Sequence, residues 1–243
     1  MARPPLKPIS PLFKWFGSSY MSAKHYPKPL ADKPIFEPFC GGAGYSLNYH
    51  WHPVTIYDCN PNLQELWPWL INEATSEDIL NIPLDLPEGT DIRALGLSRG
   101  QQQLLKHRQR TNNVGNCWTI SAWSNKPGQW VSSIRAKTAE QIHAIKHWKF
   151  EPVTWDIPGT YYIDPPYQYN YQYGIKNFDY QLLVDNIDKI PQGSLIIASE
   201  AVCPKTGAIP DYLPFQPSHS QVTSRRKKTN SHHSKELVYV KYT

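Results

Sequence analysis

The chain has 243 residues and a mass of 28.0 kDa, which suits one sizeable α/β domain, with or without an inserted module, and argues against two equal large domains. No apolar run approaches the roughly 18 residues of a membrane span, and no apolar segment follows the basic N-terminus, so we expect a cytoplasmic protein without a secretory signal. The net charge of +5 permits a polyanionic partner without requiring one.

The first part of the chain predicts alternating strands and helices. Residues 34–39 are typical of a short buried strand, which is followed by a glycine-rich turn and a helix from Tyr45. Residues 54–57 predict a second buried strand that ends at Asp58, and residues 62–72 have the apolar spacing of a helix.

The middle of the chain differs in composition. Residues 75–158 are rich in Gln, Asn, Arg, Lys and Trp and lack the alternation of strands, while residues 98–110 and 138–148 predict helices. We interpret this region as a largely helical insertion into a domain that is formed by residues 1–74 and 159–243.

The last part returns to the α/β pattern. Residues 160–163 and 194–198 predict buried strands, and residues 178–190 between them predict a helix. Residues 221–226 and 236–242 predict a closing antiparallel hairpin. The whole pattern predicts a Rossmann-like α/β fold, whose sheet is mostly parallel and carries a terminal antiparallel strand.

A glycine cluster at residues 41–44 follows the first predicted strand directly. Glycine allows a sharp turn and a close approach of a ligand to the backbone, and the next helix offers free N–H donors. Asp58, at the end of the next strand, supplies the acceptor that a ribose diol needs. The pair favours a nucleoside cofactor, although the turn lacks the Gly-x-Gly-x-x-Gly spacing of dinucleotide sites.

Asp164, Pro165, Pro166 and Tyr167 follow the strand at residues 160–163, at the edge where α/β folds place their sites. A carboxylate and a backbone carbonyl held by consecutive prolines can accept hydrogen bonds from both N–H groups of an aromatic amine and direct its lone pair at a methyl donor. The tyrosine ring can stack on a base flipped out of a duplex. We refer to these four residues as the 164–167 motif.

The sequence resembles the Dam-type DNA adenine-N6 methyltransferases over nearly its full length. The matching segments are Phe-Lys-Trp-Phe-Gly at residues 13–17, Glu-Pro-Phe-Cys-Gly-Gly-Ala-Gly at residues 37–44, Asp-Cys-Asn at residues 58–60, and Tyr-Ile-Asp-Pro-Pro-Tyr at residues 162–167. They occur in the order that the family shows, with the target-recognition region between the cofactor segments and the catalytic motif.

The resemblance implies the class I methyltransferase form of the fold, S-adenosylmethionine as donor and S-adenosylhomocysteine as product. It implies that Asp164 and the Pro165 carbonyl hold the adenine amino group and that Tyr167 stacks on the base. Glu37 and Asp58 would contact the amino-acid and ribose portions of the cofactor. The implied cofactor-binding residues are Phe13, Lys14, Trp15, Gly17, Glu37, Phe39, Cys40, Gly41, Gly42, Asp58, Asn60 and Asp164.

Two departures from the family pattern stand out. The family commonly has Lys-Trp-x-Gly-Gly-Lys near its start, whereas this chain has Ser18 and Ser19 after the glycine and therefore lacks the second lysine. Ala43 replaces a glycine of the cofactor turn, and we expect Gly44 to form the turn instead. The missing lysine leaves open a modified S-adenosylmethionine donor that transfers a group other than methyl.

By the resemblance, residues 75–158 are the target-recognition module and the partner is double-stranded DNA, bound by a monomer. Cationic and amide side chains suit contacts to phosphates and base edges, and the run at residues 225–228 would grip phosphates. No spacing of His or Cys predicts a metal site. The candidate DNA-binding residues are Arg108, Arg110, Asn112, Lys126, Arg135, Arg225, Arg226, Lys227 and Lys228.

Other functions stay open at this point. Similar proline-rich motifs serve methyltransferases that act on cytosine N4, RNA or protein glutamine. The motif usually begins with Ser in cytosine enzymes and with Asn in glutamine enzymes. Asp164 at this position therefore favours adenine. A relative that binds nucleic acid without catalysis is a further alternative. The pattern leaves undecided the recognition sequence and any association with a restriction enzyme or a phage.

Overall fold

The computed structural model describes residues 7–15, 17–108, 118–121, 130–168, 178–203, 206–215, 219–222 and 235–243, with backbone alone at residues 219–222 and 235–236. No helix in these ranges is long and apolar enough to cross a membrane.

Seven strands form one sheet in the order β3-β2-β1-β4-β5-β7-β6. All neighbours from β3 to β5 pair in parallel, and β7 is antiparallel to both β5 and β6. This doubly wound order confirms the predicted Rossmann-like α/β fold, with a mostly parallel sheet and an antiparallel final strand. The strands are β1 (Ile35–Glu37), β2 (Val54–Ile56), β3 (Lys149–Phe150), β4 (Thr160–Ile163), β5 (Leu195–Ala201), β6 (His219–Val222) and β7 (Lys235–Tyr242).

Helices connect the strands and extend the fold beyond the sheet. A π-helical turn at Trp69–Glu73 continues the third helix, and 3₁₀ turns occur at Ile92–Ala94 and Ile142–Ile145. The α-helices are α1 (Tyr20–Ala23), α2 (Gly44–Asn48), α3 (Pro61–Pro68), α4 (Ser76–Leu80), α5 (Arg99–Arg108), α6 (Ser132–Gln141) and α7 (Tyr180–Ile187).

Both faces of the sheet are covered by apolar layers, because side chains alternate between the faces along each strand. On β4, Tyr162 joins one buried cluster with Ile35 of β1, while Tyr161 and Ile163 join the other cluster. All four β4 residues are buried. The continuous apolar runs of the central strands are typical of a parallel sheet with both faces covered.

The region that was interpreted as an insertion contributes one strand to the sheet. Near its end, β3 pairs in parallel with β2, although residues 75–158 show no strand alternation in the sequence. Two residues are too short to produce such a pattern. The division of the chain at residues 74 and 158 stays a prediction.

Two element boundaries differ from the sequence expectation. The helix predicted at residues 138–148 begins at Ser132 and gives way to a 3₁₀ turn after Gln141. The first hairpin strand, His219–Val222, begins two residues before the predicted residues 221–226, of which residues 223–226 lie outside the described ranges. In both places the described segment is polar, so an apolar pattern does not mark its ends.

Candidate functional site

A cavity of about 280 Å³ lies where β1, β2 and β4 end. Parallel strands bring their carboxyl ends to one edge of the sheet, which places the three following loops around one space. We call this space the Asp58 cavity. Its lining residues are Trp15, Gly17, Ser18, Ser19, Phe39, Cys40, Gly41, Gly42, Gly44, Asp58, Cys59, Asn60, Pro61, Asp164, Pro165 and Pro166.

The lining includes most of the residues that the sequence implicates in cofactor binding. Phe13 and Lys14 lie instead on a neighbouring pocket, and Glu37 is buried beneath the turn. The predicted cofactor residues on the Asp58 cavity are Trp15, Gly17, Phe39, Cys40, Gly41, Gly42, Asp58, Asn60 and Asp164.

The glycine turn is held by contacts at Gly41. Its backbone has a φ of +48°, its N–H donates to Asp58 Oδ2 at 2.9 Å, and its carbonyl accepts from Trp67 Nε1 at 3.0 Å. A Cβ at this position would lie 2.3 Å from Trp15 Nε1. Glycine is therefore required both by the left-handed backbone and by the close approach of the Trp15 ring.

The bend before α2 is formed by Ala43, although the sequence led us to expect Gly44 in this role. Ala43 itself adopts the left-handed conformation, with a φ of 50°, while Gly44 begins α2. A Cβ on Gly44 would lie 2.5 Å from the backbone nitrogen of Tyr20. Gly44 thus permits the N-terminal segment, at Ser19 and Tyr20, to pack closely against the start of α2. The positive φ of the bend is adopted by Ala43.

The Asp58 carboxylate connects the two loops that follow β1 and β2. Besides Gly41, it accepts a hydrogen bond from the N–H of Asn60 at 2.8 Å through Oδ1. Burial raises the pKa of Asp58, and the hydrogen bonds from Asn60 and Gly41 oppose that rise. Two backbone donors fix the carboxylate at the cavity wall, where a ligand hydroxyl can reach its remaining lone pairs.

Glu37 ends β1 and is fully buried, with an exposure of 0%. Its Oε1 accepts a hydrogen bond from the Ser46 N–H at 2.6 Å, near the start of α2. Burial raises the pKa of Glu37 to about 7. The side chain supports the turn from beneath, and its predicted contact with a cofactor stays a prediction.

Three residues of the 164–167 motif form part of the wall of the Asp58 cavity. Asp164, Pro165 and Pro166 line it directly, and the Tyr162 hydroxyl lies 3.5 Å from Asp164 Oδ2. The Tyr180 hydroxyl of α7 donates to the Pro166 carbonyl at 2.8 Å. The sheet edge thus brings Asp164 and Asp58 to one cavity from segments about 100 residues apart in the chain.

Tyr167 is tied to the end of β5. Its hydroxyl lies 3.1 Å from Ser199 Oγ, and the next N–H, of Gln168, donates to Glu200 Oε1 at 2.9 Å. Glu200 also accepts from the Tyr212 hydroxyl at 3.1 Å, and burial raises the pKa of Glu200 to about 7. These contacts fix the path of the chain after the two prolines.

Four residues around the motif were not predicted from the sequence, namely Tyr180, Ser199, Glu200 and Tyr212. Glu200 follows the apolar run of residues 194–198, so the rule that sites gather at the carboxyl ends of parallel strands could have indicated it. The tyrosines carry no such local signal, because nothing in their own segments shows which loop their hydroxyls meet.

A second cavity, of about 560 Å³, lies between the N-terminal segment and helices α5 and α6. It shares Trp15 and Ser18 with the Asp58 cavity. We call it the Arg108 pocket. Its lining residues are Ser10, Pro11, Phe13, Lys14, Trp15, Ser18, Arg108, Ile134, Lys137, Thr138 and Gln141.

Two of the predicted DNA-binding residues have described side chains. Arg108 is 6% exposed and belongs to the Arg108 pocket, whereas half-buried Arg135 donates to the Ile82 carbonyl at 2.9 Å. The structure therefore places Arg135 in contact with the segment after α4. The predicted residues that lie outside the described residues are Arg110, Asn112, Lys126, Arg225, Arg226, Lys227 and Lys228.

Neither a family model nor a curated protein matches the sequence. Among solved structures, a precorrin-6y C5,15-methyltransferase from Geobacter metallireducens aligns with 92% of this chain and 86% of its own, at 9% identity and a TM-score of 0.35. Among the described residues, no group of three or more His, Cys, Asp or Glu side chains is arranged to hold a metal ion.

Proposed function

We propose that this protein is an S-adenosylmethionine-dependent DNA methyltransferase that modifies the N6 amino group of adenine. The observation that carries the proposal is that Asp164, Pro165 and Pro166 line the same cavity as Asp58 and the glycine turn. One space thus offers an acceptor for a ribose and acceptors for an amino group, and two reactants that enter it are brought together.

The part of the cavity that is built by the glycine turn offers the groups that the nucleoside of the donor needs. A nucleoside needs backbone that it can approach closely and an acceptor for its hydroxyls, and Gly41, Gly42 and Asp58 supply these. The volume of about 280 Å³ is near the lower end of ligand sites. When bound, S-adenosylmethionine would supply a methyl group on a positively charged sulfur.

The 164–167 motif supplies the chemistry for the acceptor. The Asp164 carboxylate and the Pro165 carbonyl can accept one hydrogen bond each from an exocyclic amine, which frees the nitrogen lone pair for attack. With a donor bound, the nitrogen would form a bond to the methyl carbon as that carbon leaves sulfur, and the nitrogen would give up one proton toward Asp164. The Tyr180 hydroxyl, which donates to the Pro166 carbonyl, holds the motif in position.

Tyr167 supports a base as the acceptor. An aromatic ring directly after the two prolines can stack on the face of a nucleotide base that has left the duplex. The contact with Ser199 fixes the hydroxyl end of the side chain. This arrangement limits the ring to one position and lowers the entropy lost when a base binds.

Nucleic acid as the substrate is supported by the distribution of charge along the chain. Residues 92–139 contain eight lysine and arginine residues and no aspartate or glutamate, and residues 1–31 are also free of acidic residues. Such segments suit contacts with phosphates. The Asp that begins the 164–167 motif favours adenine over the cytosine and protein-glutamine versions of such motifs.

The proposal is tested by mass spectrometry of nucleosides from the DNA of a methylation-deficient host that expresses the protein or its Asp164→Ala variant. We expect N6-methyladenine with the intact protein and a loss of at least about a hundredfold with the variant. N4-methylcytosine would redirect the proposal to another base, and a different adenine adduct would indicate a modified donor. Unmodified DNA with a folded protein would contradict it.

A further inference from the structure

We propose that the Arg108 pocket binds a backbone phosphate of the nucleic-acid substrate, beside the nucleotide whose base enters the Asp58 cavity. This inference rests on the proposed function and adds to it a specific anion site. The pocket is separate from the Asp58 cavity but shares the side chains of Trp15 and Ser18 as a common wall.

The first observation is a buried positive charge without a carboxylate partner. Arg108 is 6% exposed, and its Nη2 donates to the Pro11 carbonyl at 2.8 Å and to Thr138 Oγ1 at 2.9 Å. Its carbon Cζ also lies 5.8 Å from the centre of the Trp130 ring. None of these partners carries a negative charge, and a buried cation is costly without one.

Among the described residues, no carboxylate forms an ion pair with Arg108. The described ion pairs join Arg93 with Asp91, Arg99 with Glu65, and Lys149 with Glu151. The segments outside the described ranges contain no aspartate or glutamate at all, and among acidic residues Glu236 alone has no described side chain. We therefore infer that an anion from outside the chain pairs with the buried Arg108.

The second observation is that further positive charge faces the same space. Lys14 and Lys137 line the pocket together with Arg108. Burial lowers the pKa of Lys14, and the nearby charge of Arg108 lowers it further. Burial also lowers the pKa of Arg108 to about 10. Three cations at one cavity repel one another, and a bound anion would relieve that repulsion.

The size and position of the pocket favour a phosphate over a small free anion. At about 560 Å³ it has room for a nucleotide-sized group, and Phe13, Trp15 and Ile134 give it apolar walls on which a sugar can pack. If a base lay in the Asp58 cavity, its sugar–phosphate backbone would be within reach of Trp15 and Ser18, which line both cavities. Guanidinium groups suit phosphate oxygens because their donors are fixed in one plane.

The test compares Arg108→Gln and Lys137→Gln with Lys189→Gln, a control that removes the same charge from an exposed lysine after α7. Binding of a fluorescent adenine-containing duplex is measured by anisotropy over a range of salt concentrations, without a methyl donor. Binding of S-adenosylmethionine is measured by calorimetry for each variant. Lys137 is exposed, so its variant keeps the test valid if the buried Arg108 change disturbs folding.

We expect Arg108→Gln to weaken duplex binding by roughly tenfold and Lys137→Gln by a few-fold. In each variant, the plot of log K for duplex binding against log salt concentration should become less steep by about one. The affinity for S-adenosylmethionine should stay unchanged. Unchanged salt slopes, or a loss of S-adenosylmethionine affinity without a change in duplex binding, would overturn the phosphate site. Failure of the proposed function looks different, because the DNA of the expressing host would then carry no N6-methyladenine, whatever the salt slopes of the variants.

Discussion

The Asp58 cavity and the Arg108 pocket share Trp15 and Ser18 but differ in charge and in origin. The first is acidic and is built from loops that follow parallel strands. The second is basic and is built where the N-terminal segment meets two helices beyond the sheet. Under the two proposals made above, the sheet edge would hold the reacting groups and the surrounding helices would hold a phosphate of the substrate.

Trp15 is the element that couples the two cavities. Its ring packs on Gly41 and Gly42 on one side, and it lies 5.8 Å from the ring of His107 on α5. A change that moves this ring should therefore affect both cavities, while a change within one cavity should affect that cavity alone.

The largest effect is expected from Gly41→Ala. The new Cβ would meet Trp15 Nε1 at 2.3 Å, and the backbone φ of +48° is unfavourable for alanine. We expect a loss of methyl transfer of about a hundredfold or more, together with weaker binding of both S-adenosylmethionine and duplex DNA. Calorimetry and anisotropy measure the two affinities separately.

Gly193→Ala is the matched control for this prediction. Gly193 also has a positive φ, of +79°, but no atom lies within 4 Å of an added Cβ. This variant carries the backbone strain without the collision, so both affinities should stay close to those of the original protein. Equal losses in the two variants would mean that strain, and not the position of Trp15, controls the cavities.

A smaller effect is expected at Tyr167, which the proposed function assigns to stacking on the base and which does not line the Arg108 pocket. Stacking of a base on an aromatic ring contributes about 1 to 3 kcal/mol, so Tyr167→Ala should lower kcat/KM by roughly tenfold to a hundredfold without changing the affinity for S-adenosylmethionine. Tyr167→Phe keeps the ring and loses the contact with Ser199. It should retain activity within about tenfold, and an equal loss in both variants would contradict stacking.

The smallest effect concerns the dependence of stability on pH. Burial raises the pKa of Glu37 and of Glu200 from 4.5 to about 7, so between these values the folded chain holds protons that the unfolded chain releases. The contribution of these two groups to the free energy of unfolding is fully present below pH 4.5, and it is lost as the pH rises through about 7. The melting temperature should therefore fall as the pH rises across this range.

The double variant Glu37→Gln and Glu200→Gln separates these carboxyl groups from all others. Glutamine keeps an acceptor oxygen for the donors at both sites but does not titrate. The fall of the melting temperature between about pH 5 and pH 8 should become shallower in the variant. An unchanged pH profile would show that neither carboxyl group retains its proton in the folded state.

Much of the Asp58 cavity could be predicted from the sequence because its parts follow strands. The glycine turn, Asp58 and Asp164 each come directly after an apolar run, and parallel pairing brings such ends together whatever the length of chain between them. The apolar runs themselves predicted the strands β1, β2 and β4, and the alternation of strands and helices predicted the fold class.

The Arg108 pocket could not be predicted in this way. The sequence marked Arg108 as a cationic residue on a polar helix, but its burial depends on contacts with Pro11 and Thr138, which lie 97 and 30 residues away. The contact of Tyr180 with the 164–167 motif is similar. No local pattern records which helix packs on which segment, so such sites appear only once the chain is folded.

A crystal structure of the protein with S-adenosylhomocysteine would locate the donor site. We expect the ligand in the Asp58 cavity, with its ribose hydroxyls at Asp58 and its sulfur toward Asp164. This expectation would be contradicted if the ligand lay in the Arg108 pocket, or if its sulfur faced away from the 164–167 motif.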